Sequence, residues 1–310
     1  MARPHRSDTR ILIYRLILRT AAIAAVLFLV KFTLLDIVHV ESDAMSPTIV
    51  AGDRLLVMRL PCLPLVRALL CPGRGAPVLF RSPLGYRGCL RVAGVSGDTV
   101  AVENGVLGNT RLKAGWLPVR SGEQEILPAD FSPRDFTPTL RIPAPGEVLA
   151  LDSLDLYGFF CALGVIRQEN PARVIAIKPS IVMDGGTTND YFISDFALYR
   201  GPIDSVPDKL RYDWFFWKRL LGSVAQSEGG HEVGLSFAVE KNGARLNRYP
   251  VKRRYMFLAA DNRAHGFDSR YFGPVAVNAC FARPLCVLWS LRREGKRNAI
   301  TVGRILKFIR

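Results

Sequence analysis

Two groups of side chains in this chain could do chemistry. Ser42 and Ser46 flank the run Asp43-Ala44-Met45, and far downstream His265 stands beside Asp268 and Ser269. A serine hydroxyl is a poor nucleophile near neutral pH and needs a base, so serine, histidine and aspartate together suggest acyl transfer. Spacing argues against that reading, because residues as close in sequence as His265, Asp268 and Ser269 rarely meet in triad geometry; His265 then reads as a solvated loop residue. Metal chemistry is not suggested either, since His5, His39, His231 and His265 do not cluster and no Cys-x-x-Cys occurs. There is no P-loop, and no cofactor is expected.

The elements that must position these residues sit in a chain of 310 residues with 49% hydrophobic and 22% charged side chains, enough for one large domain or two smaller ones. The formal charge of +15 is concentrated at the ends: Arg3, Arg6, Arg10, Arg15 and Arg19 against Asp8, then Arg292, Arg293, Lys296, Arg297, Arg304, Lys307 and Arg310 against Glu294. With no zinc-finger spacing and no RNP-like aromatic run, these clusters point to anionic membrane lipids and not to nucleic acid.

Residues 20–35 are apolar apart from Thr20, Lys31 and Thr33, and the apolar texture extends back through 11–17. About 20 residues cross a bilayer, a length reached here by including Lys31 and one arginine, whose long side chains can snorkel. The expectation is a basic cytoplasmic segment over 1–16, an uncleaved transmembrane anchor over 17–36, and a single-pass protein whose N-terminus is cytoplasmic and whose main domain is extracytoplasmic. Residues 34–39 make a poor signal-peptide cleavage site. The later apolar runs, 156–166 and 287–291, are too short to span and read as interior strand or helix pieces.

Beyond the anchor the pattern is mostly β. Residues 53–59, 76–80 and 99–103 read as strands, and Asn104-Gly105, Asp184-Gly185-Gly186 and Asn242-Gly243 read as hairpin turns. The best helical candidate is 207–221, with Trp214, Phe215, Phe216 and Trp217. Of the six cysteines, Cys62, Cys71, Cys89, Cys161, Cys280 and Cys286, the pairs Cys62/Cys71 and Cys280/Cys286 could close small loops on an oxidising side. Unpaired buried thiols are an equal alternative.

Three boxes carry a family resemblance. Ser42-Asp43-Ala44-Met45-Ser46-Pro47-Thr48 running into Gly52-Asp53 resembles Ser-x-Ser-Met-x-Pro-Thr followed by Gly-Asp. Arg91-Val92-Ala93-Gly94-Val95-Ser96-Gly97-Asp98 resembles Lys-Arg-Val-Val-Gly-Leu-Pro-Gly-Asp. Residues 260–273, with Ala260-Asp261-Asn262-Arg263 and Asp268-Ser269-Arg270, resemble Gly-Asp-Asn-Arg-x-x-Ser-x-Asp-Ser-Arg-x-x-Gly. Boxes of this kind, in this order, are similar to those of bacterial type I signal peptidases, which use a serine/lysine dyad. The resemblance implies a mostly β signal-peptidase core over 40–110 and 246–291, an inserted second β-rich subdomain over 111–245, and a basic tail over 292–310, placed in a bacterial inner membrane with the main domain periplasmic.

It also implies roles. In the family a serine attacks the preprotein, a buried neutral lysine is its base, and a second serine orients the amine; the matching positions here are Ala44, Leu90 and Gly266. A serine hydroxyl and a backbone N–H form the oxyanion hole, which matches Ser42 and the amide of Ala44. Asp261, Asn262, Arg263, Asp268, Ser269 and Arg270 match structural residues near the site. Three matched losses imply an inactive homologue that binds exported preproteins, signal peptides or an active paralogue. The alternatives are a working signal peptidase with a non-standard nucleophile, and a structural or assembly membrane protein whose groove is closed.

Overall fold

The computed structural model describes residues 6–60, 72–109, 126–128, 131–170, 174–189, 192–196, 199–294 and 297–309. The chain divides into two compact units. The first comprises Met1–Glu41, Ala51–Cys71 and Phe281–Ile309. Its helix Arg6–Leu34 passes directly into the strand Leu35–His39. That strand lies antiparallel to Asp53–Arg59, in the register Leu35↔Met58 to His39↔Arg54. Asp53–Arg59 in turn pairs with the long strand Cys280–Glu294. Its central charge, Asp53, is fully buried and is met by the Arg304 guanidinium, with Nε 2.9 Å from Oδ1.

The second unit comprises Ser42–Val50 and Pro72–Cys280. Its central strands run in the order Pro77–Arg81, Arg87–Val95, Tyr255–Ala259, Val275–Ala276. Between Arg87–Val95 and Tyr255–Ala259 the register slips, from Phe257↔Gly94 to Leu258↔Val92. A bulge of this kind re-aims the residues that follow it. Beyond it Gly97-Asp98 turns the chain: Gly97 takes φ 88° and the Asp98 carboxylate accepts the Val95 N–H at 3.0 Å.

The expected hairpins form where the left-handed turn residues stand. Asn104-Gly105 joins Thr99–Glu103 to Val106–Asn109, with φ of 50° and 73°, and Asn242-Gly243 joins Val233–Lys241 to Ala244–Arg245, with φ of 52° and 81°. At the third, Asp184-Gly185 makes the turn and Gly186 already belongs to the returning strand Gly186–Thr188. The sheet Gly186–Thr188, Ile175–Met183, Val233–Lys241, Ala244–Arg245 carries Phe237, whose ring packs on Phe159, Phe160 and Trp217 with centroids 5.2 Å away. Phe159, Phe160 and Trp217 belong to one buried cluster, against which the partly buried Phe237 packs and which also takes in Ala93, Val100, Tyr249, Phe257 and Ala276.

Two expectations change and two open alternatives are decided. The N-terminal helix begins at Arg6 and ends at Leu34, so 35–36 of the expected anchor are strand instead. Residues 156–166 are helix, within Leu156–Glu169, started by Asp155 accepting the Gly158 N–H at 2.9 Å. The 207–221 helix is broken into Asp208–Arg211 and Trp214–Ser227, because Asp213 turns its side chain back to accept the Phe215 N–H at 2.9 Å and so starts a new helix. Cys286 carries a free buried thiol, so the Cys280/Cys286 loop is not closed; the Cys280 thiol lies 4.0 Å from Met256 Sδ. Cys62 and Cys71 lie outside the described residues.

The Asp184 turn makes a pH-dependent contact. His231 Nδ1 lies 2.6 Å from Asp184 Oδ2 on the surface, which lowers the Asp184 pKa and raises that of His231. A histidine whose folded pKa is raised contributes stability below its unfolded value, and loses it as pH rises through the folded value. The His231 ring is therefore expected to titrate by NMR above the ordinary value of about 6.5, and to fall back toward it in Asp184→Asn.

Candidate functional site

The turn that carries Ala44 is built by its own backbone and anchored by two apolar side chains. The Ser46 N–H donates to the Asp43 carbonyl at 3.0 Å and the Ile49 N–H to the Met45 carbonyl at 2.9 Å. Met45 and Ile49 are buried, which leaves Ala44 half-buried and Ser42 exposed. The Ala44 N–H donates to Ser42 Oγ at 3.2 Å. The hydroxyl and amide expected at an oxyanion hole are thus neighbours, bonded to each other.

Two bonds tie this turn to the third box. The Asn262 N–H donates to the Ala44 carbonyl at 2.9 Å, and Asn262 Nδ2 to the Asp43 carbonyl at 3.2 Å. Beside them the Thr48 hydroxyl donates to Asp261 Oδ2 at 2.6 Å. The same carboxylate takes the fork of Arg91, Nε to Oδ1 and Nη2 to Oδ2, both at 2.7 Å, while Arg91 Nη1 donates to the Gly75 carbonyl at 2.6 Å. Bidentate, charge-assisted pairs fix direction as well as distance. All three boxes therefore converge on one buried carboxylate, that of Asp261.

Leu90 precedes Arg91 in the strand Arg87–Val95 and stands opposite Val78. It is buried, as is Val78. Alternation along a strand turns Leu90 to the face opposite Arg91 and Cys89. Burial, reinforced by the nearby Asp261, pushes the Cys89 thiol up to about 12. At neutral pH it is a thiol and a poor nucleophile.

Gly266 lies in a loop held by a buried ion pair. Arg270 Nε meets Asp268 Oδ1 at 2.8 Å and Nη2 meets Oδ2 at 2.9 Å. Asp268 Oδ2 also accepts the Ala260 N–H at 2.9 Å, and the guanidinium donates to the carbonyls of Arg134, Arg263 and Gly266 at 2.6, 2.7 and 3.2 Å. Ser269 Oγ accepts the Leu258 N–H at 2.9 Å. Arg263 is buried, with Nη1 3.4 Å from the Gly105 carbonyl. Burial, and then the neighbouring Arg270, lowers its pKa.

These bonds dispose of the serine/histidine arrangement. Asp268 and Ser269 spend their side chains inside the protein, whereas His265 is exposed and offers its backbone N–H to the Asn262 carbonyl at 3.2 Å. Conversely, the roles of Thr48, Arg91 and Gly75 go unassigned in a reading of the sequence. Opposite charges at Arg91 and Asp261, each inside a box, are the one signal that could have paired them.

The signal peptidase, peptidase S26 family model matches residues 13–111. The chain is 28% identical over 152 residues to mitochondrial inner membrane protease subunit 2 of Mus musculus, covering 44% of this chain and 79% of that protein. It is 27% identical over 146 residues to the Danio rerio protein of the same name, covering 43% of this chain and 73% of that one. Residues 13–111 are therefore similar to the signal peptidase family, and that likeness implies substrates that bear signal peptides.

The comparisons also correct the expected location of this signal peptidase homologue. Both relatives are named for the mitochondrial inner membrane. Among the described residues no helix is long and apolar enough to cross a membrane. Within Arg6–Leu34 the apolar run is interrupted at Arg10, Arg15, Arg19 and Lys31, and 20–30 alone falls well short of the roughly 20 residues a span needs. A single-pass protein of a bacterial inner membrane is therefore not supported.

Proposed function

We propose that this chain is a catalytically inactive signal peptidase homologue that holds signal-peptide segments at the Ser42–Thr48 turn without cutting them. The observation that carries the reading is Ala44: its turn is tied to Asn262 through both carbonyls, yet the residue presented there has no nucleophile. Leu90 and Gly266 stand at the other two family positions and supply neither amine nor hydroxyl. Cys89, the nearest thiol in the strand, is protonated. On this reading Ser42 and the Ala44 amide contact the peptide carbonyl, Asp261, Asn262, Arg263, Asp268, Ser269 and Arg270 hold the surrounding loops, and 111–245 is an insertion in the core formed by 40–110 and 246–291. The relatives are named as one subunit of a protease, which favours work beside an active paralogue.

The test uses the purified full-length chain, a photocrosslinking signal-peptide analogue and a preprotein with an Ala-x-Ala site. Labelling within 42–60 and an uncut preprotein are expected. Cleavage that disappears in Ser42→Ala or Ser46→Ala would establish a non-standard nucleophile and overturn inactivity, and absence of labelling would favour a structural role.

A further inference from the structure

We propose that Ala260 closes the base-orienting position of the site, so that the loss of the hydroxyl at Gly266 is locked by a fourth residue outside the three family positions. The inference rests on the reading of the chain as an inactive homologue and names what keeps it so. A Cβ built on Gly266 would lie 2.0 Å from the Ala260 Cβ and 3.1 Å from the Asn262 carbonyl oxygen. Carbon atoms pack at about 3.5–4.0 Å, so any side chain at 266 overlaps a methyl group. Ala260 is buried and its methyl has no rotamer by which to withdraw.

Nor can the backbones move apart freely. The Asp268 carboxylate accepts the Ala260 N–H while the Arg270 guanidinium donates to the Gly266 carbonyl. Those two groups are ion-paired to each other in the interior. One buried pair therefore holds both strands of the overlap, and spreading them would break charge-assisted bonds where no water replaces them. The family box has the complementary arrangement, glycine before Asp-Asn-Arg and serine three residues after it. Here the methyl has moved from one side of the contact to the other.

Thermal unfolding of the full-length chain reads the contact directly. Gly266→Ser is expected to lower Tm by about 5 °C, the scale of an overpacked core, and Ala260→Gly added to it is expected to restore most of that loss. If Gly266→Ser yields no folded protein, recovery of folded protein by Ala260→Gly is the same result. A Gly266→Ser variant as stable as the parent, or one that Ala260→Gly does not rescue, overturns the proposal. The second readout is preprotein cleavage in a background carrying Ala44→Ser and Leu90→Lys. There Gly266→Ser alone is expected to add nothing, and the pair Ala260→Gly with Gly266→Ser to raise the rate about tenfold, the scale of a better-oriented base. Rescue of Tm with no cleavage in any background supports the steric contact and counts against peptide presentation instead.

Discussion

Arg270→Ala is expected to cost about 3–5 kcal/mol of folding free energy, the scale for breaking one partner out of a buried ion pair. The guanidinium is almost wholly enclosed and makes five side-chain bonds that matter here: two to Asp268 and one each to the carbonyls of Arg134, Arg263 and Gly266. Truncation leaves the Asp268 carboxylate with only the N–H groups of Ala260 and Arg270, and leaves three carbonyls without this donor. Arg270→Lys is expected to recover little, because one ammonium cannot reproduce a planar fork that reaches five acceptor contacts. Urea unfolding checks this: the midpoint should fall sharply with an unchanged slope. A midpoint close to the parent's would mean that the loop around Gly266 is not held by this pair. The steric argument about Ala260 would then lose its support.

The second large effect is a gain. Ala44→Ser with Leu90→Lys is expected to raise preprotein cleavage from background by about 100-fold or more, the lower range for a positioned general base, while each single change stays near background. A nucleophile and its base act as a unit, so their effects are not additive. The turn at 44 is already held by Asn262, and the new hydroxyl would stand beside Ser42 Oγ and the amide it accepts. Position 90 supplies the other requirement. Leu90 is 3% exposed, and burial disfavours a charged amine, keeping an introduced lysine neutral enough to act as base.

That same burial predicts a stability cost with a definite pH dependence. A lysine whose folded pKa is depressed leaves the unfolded state binding more protons, so stability of Leu90→Lys rises with pH instead of falling. Denaturation midpoints compared at pH 7 and pH 9 read this sign. Cleavage that remains at background while the peptide still crosslinks near residue 42 would show that the groups at 44 and 90 do not meet.

How much of this was visible beforehand depends on the distance over which each feature is decided. The hairpins at Asn104-Gly105, Asp184-Gly185 and Asn242-Gly243 were legible because a left-handed backbone is a local demand met by particular residues. The strand Asp53–Arg59 was legible because its alternation matches a half-buried face. The run 156–166 was ambiguous, since a short apolar stretch has no periodicity that separates strand from buried helix; the capping bond of Asp155 resolves it. Asp213 was a capping residue in plain view inside the expected 207–221 helix, and it divided that helix.

By itself the sequence determined the residue types at 44, 90 and 266, the motif that surrounds them, and hence the resemblance to signal peptidases. These are statements about identity and local spacing, and no fold is needed to make them. Only the tertiary structure decided that Thr48, Arg91 and Asp261 share one buried carboxylate, and that Ala260 occupies the space a side chain at Gly266 would need. The first joins side chains 43 to 213 residues apart in sequence, and the second depends on how the Asp268–Arg270 pair folds the loop back; the residues that meet do not dictate either by themselves.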